Sequence, residues 1–158
     1  MTRAVLAIYG ALLAVTGVWA AAFPASFYDD FPGFGRVWVA VDGPYNEHLV
    51  RDVGSLNLAL AVLLLAAAVR TTPLLVGVAA GVNLVNALPH AIYHFRHLDV
   101  FDTTDQVLNV VVLGASVLVP IGLLWWVSRA GGQELGDDRL DAGDRVAPGA
   151  VLTEAGDQ

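Results

Sequence analysis

The sequence predicts an all-α fold: a four-helix transmembrane bundle with one structured outer loop and a disordered C-terminal tail. Hydrophobic residues make up 56% of the 158 positions and charged residues 15%, against roughly 25% charged in soluble proteins. Four apolar stretches are each long enough to cross a hydrocarbon core of roughly 30 Å. After residue 128 the apolar pattern gives way to acidic residues and glycines, a composition typical of disorder.

The composition also excludes several classes of site and partner. The chain has no cysteine, which rules out disulfides, thiolate metal sites, iron–sulfur clusters and cysteine nucleophiles. The net charge of −7 argues against nucleic acid, because phosphate binding needs a positive surface. The lipid bilayer is therefore the expected partner, with a homo-oligomer or a membrane-complex subunit as a further possibility.

The first span covers residues 4–23 and leads into a loop rich in proline, glycine and aromatic residues. A cleaved signal peptide is the competing interpretation, because Ala20, Ala21 and Ala22 could form a small-residue cleavage site. We prefer a retained helix, since the apolar stretch is long for a signal peptide. Aromatic side chains favour the membrane interface, so we expect the loop of residues 24–43 to cap the bundle. Residues 36–41 alternate weakly and could form a short strand.

The other three spans complete a domain of residues 1–128. Pro44 suits the first position of the second helix, Thr72 suits the cap of the third, and Thr103 with Gln106 has the spacing of a capping box at the fourth. The expected spans are residues 45–69, 73–97 and 104–128, followed by an acidic cytoplasmic tail at 129–158. We expect a multi-pass plasma-membrane protein with both termini in the cytoplasm, although the arginines beside the spans decide this only weakly.

Polar residues on three of the helices suggest a shared site near the outer side. His90 and His94 have the i, i+4 spacing that lets two imidazoles bind one ion, and His48 with Asp52 repeats that spacing on the second helix. Because polar groups are costly in lipid, we expect these faces to turn inward toward one another. The candidate ligands are His48, Asp52, His90, His94 and Asp105, with a secondary polar pocket of Glu47, Asn86, His97, Asp102 and Asn109.

Three interpretations of this constellation stay open. The first is an ordinary structural network, since histidines at a helix end and aspartates at a helix start complement the helix dipole. The second is a site for a divalent metal ion (zinc, iron, manganese or copper) or, less favoured, a b-type haem with axial histidines from two helices. The third is a proton relay or a small-ligand pocket.

The segments at residues 31–33 (FPG) and 43–54 (GPYNEHLVRDVG), with the four-span plan, resemble small four-helix membrane proteins of unassigned function from high-GC bacteria. In size and span number the chain is also similar to the DoxX-like group. That resemblance implies a four-helix membrane fold and an association with redox-linked membrane complexes, and it transfers no catalytic residue.

The first functional hypothesis is a non-enzymatic membrane protein whose outer His/Asp pocket binds a metal ion or a small ligand. The alternatives are a membrane oxidoreductase or hydroxylase that holds a redox metal or haem, and a subunit of a proton or ion pathway.

Overall fold

The computed structural model describes the backbone of residues 1–146 and the side chains of residues 1–130. Within that part of the chain, four helices are long and apolar enough to cross a membrane. This confirms the predicted all-α fold class and the four-helix transmembrane bundle. The four spans are Thr2–Ala22, Glu47–Val69, Pro73–Phe95 and Thr103–Ala130.

Five helices and one minimal hairpin follow one another along the chain. They are α1 (Thr2–Ala22), α2 (Pro24–Asp30), β1 (Pro32–Gly33), β2 (Arg36–Val37), α3 (Glu47–Val69), α4 (Pro73–Phe95), a 3-10 turn (Leu98–Val100) and α5 (Thr103–Val146). The backbone of α5 is helical beyond the predicted end near residue 128. Residues 147–158, the last part of the predicted tail, lie outside the described residues.

Side-chain caps fix where α3 and α4 begin. Thr72 caps α4 as predicted, because its hydroxyl accepts a hydrogen bond from the Leu75 amide at 3.3 Å. The predicted start of the second span at Pro44 is wrong by three residues. Asn46 takes an extended conformation and accepts from the Leu49 amide at 3.1 Å, which satisfies an orphan donor of the first turn.

The start of α5 is held by a different cap from the one predicted. Asp102 accepts a hydrogen bond from the Asp105 amide at 2.9 Å, so Asp102 is the cap. Gln106 donates to the Phe101 carbonyl at 3.0 Å instead of reaching back to Thr103 in a capping box. Aspartate is one of the strongest helix caps, and the sequence places it one residue before the threonine.

The α1 and α3 helices make the closest helix contact in the bundle, and two glycines permit it. A Cβ atom on Gly54 would overlap the backbone of Ala20 and Ala21, and one on Gly17 would lie 2.9 Å from the Gly54 carbonyl oxygen. Small residues at helix interfaces in membranes let backbones approach closely. Gly10 makes a further close approach to Leu64 and Leu65, so the two helices pack along most of their length.

The α4 and α5 helices form the second closely packed pair, and the three-residue connection Arg70–Thr72 joins the two pairs. We call the end of the bundle that carries residues 23–46 and 96–102 the loop end. All four spans meet near the opposite end in one apolar core. Its buried members are Leu6, Leu64, Ala67, Ala68, Val76, Ala79, Ala80 and Leu123.

The loop between α1 and α3 is more structured than predicted. Residues Pro24–Asp30 form a helix that the sequence analysis assigned to the loop, and the expected strand at 36–41 is reduced to the two residues of β2. The prediction of an aromatic cap agrees with the packing of Trp19, Phe27, Phe31 and Trp38, whose rings meet mostly edge to face at 4.6–6.1 Å.

Replacing Gly54 with alanine should destabilise the bundle, because the added methyl group overlaps the backbone of α1. Overpacking of this kind costs about 1–3 kcal/mol. Thermal unfolding of the purified protein in detergent measures the change. Gly81→Ala is the matched control, since a Cβ at Gly81 meets no atom within 4 Å, and it should leave the midpoint unchanged or slightly raised. Equal effects of the two substitutions would refute the close-approach role of Gly54.

Candidate functional site

The His48–Asp52 pair of α3 faces away from the bundle. Nε2 of His48 lies 3.3 Å from Oδ2 of Asp52, and the two side chains are 88% and 62% exposed. Helix α3 packs on its neighbours through Val50 and Gly54, which lie about 200° around the helix from His48 and Asp52. The expectation that this polar face turns inward is wrong, and the structure does not bring these residues together with His90 and His94.

Glu47 and Arg51, the neighbouring polar residues of α3, form hydrogen bonds at the ends of α3 and α1. Nε of Arg51 donates to Oε1 of Glu47 at 2.8 Å, and Nη1 of Arg51 donates to the carbonyl of Ala21 at the end of α1. The last carbonyls of a helix lack partners within the helix, and a basic side chain satisfies them. Arg51 therefore ties α3 to the end of α1, and Glu47 orients the Arg51 guanidinium. These contacts agree with the first interpretation, an ordinary structural network.

Asp105 is buried at the start of α5 and already has its counter-charge. It is 8% exposed, and the guanidinium of Arg36 on β2 forms an ion pair with its carboxylate. The Trp38 indole approaches the same carboxylate without closing a hydrogen bond. Asn109 turns back on its own helix and donates to the Asp105 carbonyl at 3.0 Å. A carboxylate compensated in this way attaches the loop to α5 and is not directed at the histidines.

His90 and His94 of α4 lie together with His97 at the loop end. The predicted end of the third span at residue 97 is wrong by two residues, because α4 ends at Phe95 and His97 lies in the connection to the 3-10 turn. The rings of His90 and His94 are 4.6 Å apart, and Tyr93 packs edge-on against His94 at 5.3 Å. His97 stacks on Tyr93 at 4.3 Å. The predicted proximity of His90 and His94 on one face of α4 agrees with this arrangement, whereas His97 joins them from beyond the helix end.

Asp42, in the loop, is the carboxylate that faces this group. Its Oδ1 accepts a hydrogen bond from the Tyr93 hydroxyl at 3.3 Å, and its charge lies within electrostatic reach of both His90 and His94. We name these five residues, Asp42, His90, Tyr93, His94 and His97, the loop-end cluster. The position of Asp42 could not be predicted from the sequence, because Asp42 lies in a loop and the helical repeat does not say which helix face a loop residue will meet.

The loop-end cluster has more hydrogen-bond acceptors than donors. The Tyr93 hydroxyl is already given to Asp42. Nδ1 of His97 lies 2.7 Å from the Tyr93 carbonyl, which can only accept, so the free ring nitrogen of a neutral His97 is an acceptor. Nδ1 of His94 is buried with no hydrogen-bond partner. Neutral His90 and His94 each have one N–H donor and one acceptor nitrogen. The excess of acceptors therefore comes from the Asp42 carboxylate and from Nε2 of a neutral His97.

A polar seam continues from the cluster toward the middle of α4. Asn86 is half-buried, and Asn83 is 1% exposed with its Nδ2 donating to the Ala79 carbonyl at 2.8 Å. Oδ1 of Asn83 has no partner. The seam stops there, because the next turns of α4 toward the opposite end are packed in the apolar core.

Among the residues whose side chains are described, no group of three or more His, Asp or Glu side chains is placed so that it could hold a metal ion. A protein zinc site needs at least three such ligands at about 2.0–2.2 Å. A haem bridged by His48 and an α4 histidine also finds no support, since His48 lies on the exposed face of α3. The expected metal or haem site is therefore unsupported.

Comparisons with known proteins give no guide to the function of the chain. No family model, no curated protein and no solved structure matches the chain. The resemblance to DoxX-like proteins stays a prediction.

Proposed function

We propose that the chain is a non-enzymatic membrane protein that binds a small cationic ligand with N–H donors, a primary amine, at the loop-end cluster. The observation that carries the proposal is the Asp42 carboxylate, held by Tyr93 beside three imidazoles. No arginine among residues 1–130 forms an ion pair with Asp42. An ammonium group would supply the missing positive charge.

The hydrogen-bonding balance of the cluster favours an amine over an anion or a neutral acceptor. An ammonium group has three donors and no acceptor, which complements the Asp42 carboxylate and the free nitrogen of a neutral His97. Hydrogen bonds between charged partners are roughly twice as strong as neutral ones.

The charge of the loop end acts in the same direction. The loop end together with the first turns of α3 and α5, residues 23–52 and 96–105, contains eight Asp or Glu and three Arg. Two of those arginines, Arg36 and Arg51, are engaged in ion pairs. An excess of one sign around a site raises the local concentration of ligands of the other sign.

Two alternatives are less well supported by the same contacts. A metal-dependent oxidoreductase would need ligands that the described residues do not assemble. A proton path through one chain would have to cross the core at the opposite end, where Leu6, Leu64 and Val76 are fully buried. The seam from the loop-end cluster to Asn83 is suited to a site that opens at one side only.

We further propose that the protein lies in the plasma membrane with both termini in the cytoplasm and the loop end outside. The tail arginines Arg139 and Arg145 support this orientation, because basic residues near spans are retained on the cytoplasmic side. The binding site then faces the exterior. A homo-oligomer or a partner within a membrane complex stays a prediction.

Replacing Asp42 with asparagine should abolish most of the amine affinity. Isothermal titration of the full-length protein in detergent with butylammonium chloride is the measurement. Loss of a charge-assisted hydrogen bond and its ion pair should weaken binding by about tenfold to a hundredfold. Asp52→Asn is the matched control, since it removes an exposed carboxylate of α3 outside the cluster, and it should bind as the wild type does.

Two further titrations sharpen the result. Tetramethylammonium, a cation without N–H donors, should bind more weakly than butylammonium, because the acceptors of the cluster stay unsatisfied. Butyrate should not bind. The proposal is wrong if butylammonium shows no heat of binding to the wild type, or if Asp42→Asn and Asp52→Asn bind it equally well.

A further inference from the structure

The segment of residues 32–45, which we call the strap, crosses the loop end from α2 to α3 and carries Asp42 to the histidines of α4. We propose that the strap is a movable cover of the amine site and that the Arg36–Asp105 ion pair is its latch. This inference rests on the proposed function for its ligand. The latch itself has a readout that needs no ligand.

The strap is attached to the α1/α3 pair mainly by apolar contacts. Phe31, where the strap begins, packs against a buried group formed by Ala20, Phe27 and Val50. Val39 of the strap packs against the same group. The Tyr28 hydroxyl also donates to the Gly43 carbonyl at 2.6 Å. This side of the strap is therefore fixed to α1, α2 and α3.

The contacts of the strap with the α4/α5 pair include two polar ones and the buried Trp38, whose indole approaches the Asp105 carboxylate. Arg36 pairs with Asp105, and the Tyr93 hydroxyl donates to Asp42 at 3.3 Å. The Arg36 and Asp105 side chains are 32% and 11% exposed, so the ion pair is partly shielded from water and stronger than one on an open surface. Asp105 belongs to the α4/α5 pair, whereas Arg36 lies on the strap, which is fixed to the α1/α3 pair.

Opening of the latch would change the binding site directly. Asp42 lies on the strap, whereas His90 and His94 lie on α4 and His97 lies just beyond its end, so displacement of the strap separates the carboxylate from the imidazoles. His94, whose Nδ1 is buried in the closed arrangement, would then lose its neighbouring carboxylate. A closed strap therefore assembles the cluster, and an open strap admits or releases the ligand.

The backbone of the strap suits a hairpin that pivots as a unit. Gly33 and Gly35 have φ angles of +94° and +75°, which glycine adopts at no steric cost. Added Cβ atoms at these positions would meet no atom within 4 Å. The turn of the hairpin thus leaves space around both glycines, and the latch residue Arg36 directly follows it, paired with Gly33 in the hairpin.

The experiment is modification of histidines by diethyl pyrocarbonate, followed residue by residue by mass spectrometry on the full-length protein in detergent. In Arg36→Met the rate at His94 should rise by about tenfold over the wild type, because a charge-assisted contact of this strength shifts a two-state equilibrium by roughly that factor. His48, exposed on α3, is the internal reference and should react at an unchanged rate in every variant.

Three variants control the interpretation. Arg36→Lys keeps the positive charge and should restore most of the protection of His94. Asp105→Asn removes the other partner and should reproduce the effect of Arg36→Met. Glu47→Gln removes the exposed ion pair with Arg51 without touching the strap and should behave as the wild type. Unchanged His94 rates in both Arg36→Met and Asp105→Asn would overturn the latch.

Butylammonium separates the latch from the proposed function. If the strap closes on the ligand, butylammonium should slow modification of His94 in Arg36→Met and leave His48 unaffected. Faster modification in the latch variants with no effect of butylammonium would keep the latch and reject the amine site. Protection by butylammonium with identical rates in all variants would keep the site and reject the latch.

Discussion

The close approach of α1 and α3 at Gly17 and Gly54 is the constraint on which the rest of the molecule depends. Because the backbones meet there, the face of α3 that carries Val50 and Gly54 is committed to α1. The opposite face, with His48 and Asp52, must then remain outside the bundle. One packing contact thus decides that the polar residues of α3 cannot take part in a site with α4.

The same contact explains why a loop residue completes the cluster. With α3 turned away, the histidines of α4 have no carboxylate from a neighbouring span, and Asp105 is occupied by Arg36. The strap supplies the carboxylate instead, because Asp42 accepts a hydrogen bond from the Tyr93 hydroxyl of α4. Aromatic packing of Phe31 against the α1/α3 group sets the position from which the strap starts.

Hydropathy was enough to predict the four spans, whereas capping was predicted correctly only at Thr72 and less was predictable at the loop end. The spans are limited by the thickness of the bilayer, and Thr72 acts on an amide only three residues away. Helix α2 was missed because its seven residues make only about two turns, too few for a clear apolar repeat. Angular arithmetic correctly grouped His90 and His94, but it cannot tell which neighbour a helix face will meet, so His48 and Asp52 were misplaced.

The short connection Arg70–Thr72 has a mechanical consequence. It joins the two helix pairs where the apolar core closes the bundle, whereas at the loop end the strap links them through the Arg36–Asp105 ion pair and the Tyr93–Asp42 hydrogen bond. Lipids that crowd the leaflet at the loop end would therefore act on polar contacts, and those at the opposite end on an apolar core.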